Sequence, residues 1–352
     1  MAADIAEQPG GYARLLQRDH AGPIAEVAAA IVRRQPRHVV FTARGTSDHA
    51  ALYAAYLTEI RLGLPAGLAS PSAITLFGAR PDLRDALVVG VSQSGGSPDL
   101  AEVLRVARDQ GALTVAVTNT PDSALATAAE LTVDIAAGHE RAVAATKTYT
   151  AQLLALLMLV EGVRAGGDGA LPAAERAALD ALPGLAERVL ADPTATDLAP
   201  RYRFAAQLVT TGRGYAYPTA RETALKLMET SYLPALAFSG ADLLHGPLAM
   251  ADPDVPVIAV VGSGPGGAAM RDVLRRLGER RADVLVIGAG ADPAGAAAAD
   301  RPAAAITLPD VDERYAPLLD ILPAQRLALA LAVARGEDPD APRGLAKVTA
   351  TR

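Results

Sequence analysis

Four short runs of β-branched and aliphatic residues punctuate the first half of the chain: Val39–Thr42, Leu87–Val91, Thr114–Thr118 and Leu131–Ile135. Each is apolar without alternation, as expected of a strand covered on both faces in a parallel sheet. Between them the apolar positions recur with helical period, predicting helices over Asp48–Arg61, Pro98–Gln110 and Thr148–Val163. Asn119–Ser123 carries turn chemistry after the third strand. Two more helices, Gly11–Arg18 and Ile24–Arg34, precede the first strand. Strand and helix in strict alternation predict an open, doubly wound α/β sheet.

The second half repeats the first. Leu208–Gly214 matches Val39–Gly45 at a separation of 169, sharing Arg-Gly. The same separation sets Pro256–Gly264 against Leu87–Gly95, pairing Ser263 with Ser94 and Gly264 with Gly95, and sets Ala282–Val286 against Leu113–Val117. Ala324–Leu329 then matches Ala151–Leu156 at 173, so a few residues are inserted late in the second copy. A constant offset across three strand-like segments predicts a duplicated domain. The resulting plan is N-terminal helices (1–35), a first domain (36–165), a linker (166–195), a second domain (196–335) and a C-terminal tail (336–352). The linker opens on Gly166–Gly169 and is predicted to hold helices at Ala173–Ala181 and Leu185–Leu190.

Composition agrees with two cores. Of 352 residues, 51% are hydrophobic and 20% charged, which excludes disorder as the main state. A net charge of -6 gives no global attraction to nucleic acid or anionic membrane. Cysteine is absent, which removes thiolate nucleophiles, disulfides and Cys-ligated zinc. No metal-ligand cluster is evident, and no cofactor is expected. Met1–Asp4 lacks the order of a signal peptide, and the apolar run Leu153–Val160 is too short to span a bilayer. A soluble, cytoplasmic protein is the expectation.

Ligands of such sheets sit beyond the carboxyl ends of the strands. After Val91 comes Ser92-Gln93-Ser94-Gly95-Gly96-Ser97-Pro98-Asp99, with Ser97 placed as N-cap and Pro98 as first helical residue. Hydroxyls around unpaired helix amides make an anion site suited to one phosphate monoester. An ordinary Ser/Gly turn would read the same, but Val261–Pro265 in the second copy keeps the turn and loses Ser92 and Gln93. One phosphate site, in the first half, follows. Ser47 stands at another helix start, where a bare N-cap is sufficient explanation. Thr146 could cap the long helix, and Lys147 beside it favours an anionic neighbour.

The second copy holds the ionisable residues. Glu222, Lys226 and Glu229 fall on one helix face at i, i+4 and i+7, and on spacing alone a solvated ion pair is the better reading. His245 lies in a loop and Lys347 in a tail, where surface roles are commoner than catalytic ones.

Taken together, the motifs ARGTSDHA (Ala43–Ala50), SQSGGSPD (Ser92–Asp99), AVAATKTYTAQL (Ala142–Leu153), GRGYAYPTARETALKLMETSY (Gly212–Tyr232), LLHGPLAM (Leu243–Met250) and PRGLAK (Pro342–Lys347) resemble the sugar isomerase (SIS) superfamily over nearly the whole chain. The resemblance is to the isomerase half of glucosamine-6-phosphate synthase and to type II glucosamine-6-phosphate deaminases. It implies two tandem SIS domains, each an α/β/α sandwich on a five-stranded parallel sheet, assembled as a homodimer whose active site is completed across the subunit interface. It implies phosphate binding by Ser92, Gln93, Ser94 and Ser97, and sugar contacts from Ser47, Glu222 and the backbone of Val143 and Ala346. It implies that Glu229 shuttles a proton between C1 and C2, that His245 opens the ring, and that Lys226 and Lys347 are active-site lysines, Lys347 on a closing tail.

The departures favour the deaminase branch. The sequence has no glutaminase domain and no cysteine to serve one, Gly96 and Met228 stand where the synthase has Glu and Lys, and Ala145 replaces a sugar-contacting Ser. The reaction expected is deaminating isomerisation of glucosamine 6-phosphate. Dehydration of N-acetylglucosamine 6-phosphate, deglycation of fructosamine phosphates, a synthase subunit fed ammonia by a separate partner, and a phosphosugar-sensing regulator are the competing readings.

Overall fold

The computed structural model describes residues 1–291 and 302–347; the end of the expected tail, 348–352, lies outside them. The chain divides into two compact units: residues 7–140, 145–183 and 346 onward form one, and residues 1–6, 141–144 and 184–345 the other. Each contains one five-stranded parallel sheet, so the two-sheet α/β architecture is as expected.

In the first sheet the order is β2-β1-β3-β4-β5, with β1 at His38–Thr42, β2 at Ala66–Leu68, β3 at Ala86–Ser92, β4 at Leu113–Thr118 and β5 at Leu131–Asp134. The four strands expected from continuous apolar runs are present. The fifth, β2, is a three-residue edge strand of Ala-Gly-Leu, half-buried or exposed throughout, and no hydrophobic pattern announces it. The second sheet repeats the order as β7-β6-β8-β9-β10: β6 Leu208–Gly212, β7 Ala235–Ser239, β8 Val257–Val260, β9 Val284–Gly288, β10 Ala304–Thr307.

Strand registers measure the duplication directly. Val40 pairs with Val88 and Val209 with Val257, preserving the offset of 169. Gly90 then pairs with Ala116 and Ala259 with Val286, which moves the offset to 170 by the fourth strand. The alignment of Leu113–Val117 with Ala282–Val286 is therefore one residue out of register. In both sheets the strand order reverses beside the first strand, and at such a switch point the loops after the first and third strands face a ligand crevice.

Most helices lie where expected, with adjusted ends. Pro98–Asp109 and Lys147–Ala165 flank the first sheet. The helix read as Asp48–Arg61 is α-helical over Thr46–Leu57 and closes in a π turn, Thr58–Leu62, ending at left-handed Gly63. The N-terminal helices run over Ala2–Ala6, Gln8–Leu15 and Arg18–Arg34. The two linker helices prove to be one, Ala173–Ala191, with Pro183 inside it. Proline removes one amide from the helical ladder without obliging the chain to leave it.

Pro317–Ala334 is long and apolar enough to cross a membrane, yet 72% of it is buried within the structure, where it packs on the helix Ala216–Ser231 of the same unit. A helix apolar all round is what a core position requires. That helix carries a buried carboxyl, Asp320, whose Oδ2 has no hydrogen-bond partner. Burial, with the negative charge of Glu313 adding to it, pushes the Asp320 carboxyl well above the usual range.

A carboxyl that binds its proton more tightly folded than unfolded weakens the fold as pH rises past its unfolded value. Asp320→Asn is therefore expected to raise the thermal midpoint at pH 7, with the gain shrinking towards pH 4. Melting curves across that range check it, and a gain constant with pH would contradict it.

Candidate functional site

In the first unit, the loop after β3 is built by its own side chains. Ser92 Oγ accepts from the Gly95 amide at 3.1 Å and Ser94 Oγ from the Gly96 amide at 3.3 Å. Gln93 enters through its backbone carbonyl, which accepts from the amide of Asn119 at 3.1 Å and the hydroxyl of Thr118 at 3.3 Å. Gly95 is left-handed (φ +61°), and a Cβ there would lie 2.0 Å from Ser123 Oγ, so no other residue fits. Ser97 is the N-cap and Pro98 the first helical residue, as read from sequence, but the Ser97 side chain makes no capping bond. Nearby, Asp99 is buried and its Oδ2 is gripped by the Arg44 guanidinium at 2.9 and 3.0 Å, which offsets the one acidic charge at this helix start.

Ser47 is buried in the first turn of its helix but is not the N-cap, which is Gly45. Its Oγ instead accepts from Gln152 Nε2 at 3.0 Å. Thr146 does occupy the N-cap of the long helix, yet its side chain does not cap. The carboxylate of Glu140 does so: Oε1 accepts from the amides of Thr146 (2.7 Å) and Thr148 (3.1 Å), and Oε2 from the Thr148 hydroxyl (2.6 Å). The same Oε2 accepts from Lys347 Nζ at 2.8 Å, so the tail lysine is held by a carboxylate 207 residues earlier. Ala346 beside it is exposed. Lys147 does have an anionic neighbour, Glu7, at 2.5 Å.

In the second unit, the helix Ala216–Ser231 carries the ionisable face, and it is not solvated. Glu222 and Lys226 are fully buried; the ammonium lies 3.3 Å from Glu222 and 2.5 Å from Glu229. Burial alone would lower the Lys226 pKa, but the two carboxylates outweigh it and raise it, so the lysine is charged. The expectation of a surface ion pair fails because the apolar Pro317–Ala334 helix covers this part of the structure, while Met228 is exposed. Lys226 is thus sealed in the core and engaged by both carboxylates. Glu229 keeps 23% of its side chain exposed. His245 is exposed as the C-cap of the short helix Gly240–Leu244. Val143 belongs to this unit, in a stretch whose Arg141 and Ala142 amides donate to the buried carboxylate of Asp4.

The residues singled out from sequence thus fall in two groups. Ser47, Ser92, Gln93, Ser94, Ser97, Ala346 and Lys347 lie in one unit, and Val143, Glu222, Lys226, Glu229 and His245 in the other. Sequence reasoning missed Asp4, Arg44 and Glu140. Among the described residues no group of three or more His, Asp or Glu side chains could hold a metal ion.

The family described as SIS domain matches residues 34–162 and 202–335. A glutamine–fructose-6-phosphate aminotransferase (isomerizing) of Gloeobacter violaceus is 34% identical over 361 residues, covering 99% of this chain and 58% of the relative. The chain thus spans little more than half of that protein. A solved structure from Silicibacter pomeroyi DSS-3, provisionally described as a phosphosugar isomerase, superposes with a TM-score of 0.83 at 34% identity over 96% of this chain and 98% of that one. The C-terminal domain of glucosamine-fructose-6-phosphate aminotransferase from Francisella tularensis gives 0.84 at 25% identity, over 96% and 97%.

Two outcomes follow from the charge clusters. Lys226→Met strands Glu222 in the core and is expected to lower stability by about 3–5 kcal/mol at pH 7. Lys226→Met with Glu222→Gln should recover part of the loss in denaturant titrations; no recovery would show that the pair is not what the core depends on. Glu140→Gln should cost about 1–2 kcal/mol and speed trypsin cleavage after Arg343, because the tail loses its ionic anchor.

Proposed function

The chain belongs to the SIS-domain family, and from that premise we propose that it acts on amino-hexose 6-phosphates, converting glucosamine 6-phosphate and water into fructose 6-phosphate and ammonia. The observation that carries the reading is the asymmetry of the two carboxylates on Lys226: Glu222 is sealed, whereas Glu229 is open enough to meet a substrate. A carboxylate fixed by a buried cation and exposed at one edge suits a general base whose proton must leave and return.

Binding begins at the Ser92–Ser97 loop, where hydroxyls and helix amides receive the phosphate, and that grip positions C1 and C2. His245 moves the proton between O1 and O5 that opens the ring. Glu229 takes the C2 proton, acidified by the C1 aldehyde, and returns it at C1. The product is a ketimine at C2; water adds to it, the C–N bond breaks and ammonia leaves. In this reading Lys347 steadies the oxygen that gains charge in between. Support comes also from the relatives, whose names describe an isomerising reaction at fructose 6-phosphate. In this reading no cofactor takes part, and the working form is a cytoplasmic homodimer.

The test is ammonia release from glucosamine 6-phosphate by the purified protein. Glu229→Gln is expected to lower turnover by at least about a hundredfold while leaving fructose 6-phosphate binding nearly unchanged. Turnover near the wild-type rate would remove Glu229 as the base. No ammonia from the wild-type protein, with ultraviolet absorbance growing from N-acetylglucosamine 6-phosphate, would replace deamination by dehydration.

A further inference from the structure

The duplication brings a second helix start to the position of the phosphate loop, and there the chain has supplied its own anion. Counted from the register-equivalent Val91 and Val260, six residues precede the Pro98–Asp109 helix but only four precede the helix Pro265–Glu279. Both helices begin on proline, but the second offers Gly266 and Gly267 at its next two positions. Their amides donate to one carboxylate from far along the chain: Gly266 N–H to Glu313 Oε2 at 3.0 Å and Gly267 N–H to Glu313 Oε1 at 2.7 Å. One oxygen on each of two adjacent first-turn amides is how a bound anion is held at a helix N-terminus.

The loop is shaped around that side chain. A Cβ on Gly262 would come 2.9 Å from Glu313 Oε1, on Gly264 2.8 Å from its carboxyl carbon, and on Gly266 3.0 Å from Oε1. Side chains at Gly262 and Gly264 would crowd the glutamate carboxylate, and at Gly266 the backbone carbonyl of Arg213 is nearer still, at 2.9 Å. The loop's hydroxyl is consumed as well: Ser263 donates to Asp310 at 2.5 Å. The first copy shows the opposite arrangement. Its N-cap hydroxyl, on Ser97, is not used in capping, and its nearby acid, Asp99, is turned to Arg44.

We propose that Glu313 is a resident anion that closes the second copy to phosphate, so that each chain takes a phosphosugar through its first copy only. This rests on the reading of Ser92–Ser97 as a phosphate loop and adds the residue that makes the two copies unequal. A phosphate monoester brought to the second loop would meet a carboxylate already holding both amides, and two anions at that distance repel.

Equilibrium dialysis with inorganic phosphate and with fructose 6-phosphate distinguishes the possibilities by stoichiometry. The wild-type chain is expected to bind one phosphate and Glu313→Ala two, the second persisting when Ser94 and Ser97 are also replaced by alanine. One site in both proteins, or two in the wild type, overturns the proposal while leaving the first-copy loop intact. None in the wild type but one in Glu313→Ala supports the role of Glu313 and removes the first-copy loop instead; none in either removes both. If Glu313→Ala does not fold in phosphate-free buffer, its refolding yield is measured against added phosphate: recovery supports a vacated anion site, and an unchanged yield overturns it.

Discussion

Parallel strands that deliver the chain into helix starts leave unpaired amides at the strand tips, and in this protein the placement of negative groups on those amides organises both copies. A helix N-terminus carries three or four amides without an intrahelical acceptor, and burying them unsatisfied is expensive. Glu140 satisfies the helix Lys147–Ala165, Asp4 the amides of Arg141 and Ala142, and Glu313 the helix Pro265–Glu279. The helix after Ser92–Ser97 is treated differently, with side-chain oxygens on the turn and an N-cap hydroxyl not spent on capping. The folding problem and the ligand problem are thus one problem solved twice over, by internal carboxylates where the chain closes on itself and by small hydroxyls where it does not.

That division explains why the site was only partly legible. The central strands β3 and β4 could be read because a strand buried along its whole length is mostly apolar. By contrast β5, Leu-Thr-Val-Asp, proves to be an edge strand that alternates and ends exposed, so the expectation of a strand covered on both faces does not hold for it. The edge strand β2 pairs on one side and is half-buried at most, so Ala-Gly-Leu carries no comparable signal. The Ser92–Ser97 loop stood out because its hydroxyls and glycines are contiguous. Glu140 and Glu313 did not, because their partners are backbone amides, which have no sequence signature. The contact between Glu313 and Gly267 spans 46 residues and that between Lys347 and Glu140 spans 207, so no local pattern announces either.

The burial of Lys226 escapes the sequence for a related reason. An i, i+4 pair of opposite charges describes one helix face, and periodicity locates that face relative to the helix, not to the solvent. What decides is the other partner in the packing. Pro317–Ala334 is apolar over most of its surface, and a helix of that kind demands neighbours on most sides. Its packing on the Ala216–Ser231 helix makes a core where a surface was expected, and the ion pair is enclosed with it. The same enclosure raises the Asp320 carboxyl, whose outer oxygen finds no donor. Only the ion pair departs from a reading of the sequence, which offered none for Asp320.

Enclosure also assigns roles within the triad of Glu222, Lys226 and Glu229. Three charged groups with one cation among them sum to a single negative charge, and an uncompensated charge is most costly where water is excluded. Glu222 has no exposed surface and Glu229 has some, so the excess falls on the carboxylate that water can reach. Lys226 and Glu222 are a buried pair of opposite charge beneath a carboxylate that stays partly exposed. A glutamate alone on this helix could be a base only by being solvated, and so badly oriented, or by being buried, and so reluctant to ionise. The sealed cation beneath Glu229 lies between those extremes, holding the carboxylate by a hydrogen bond from a charged donor while part of its side chain stays exposed.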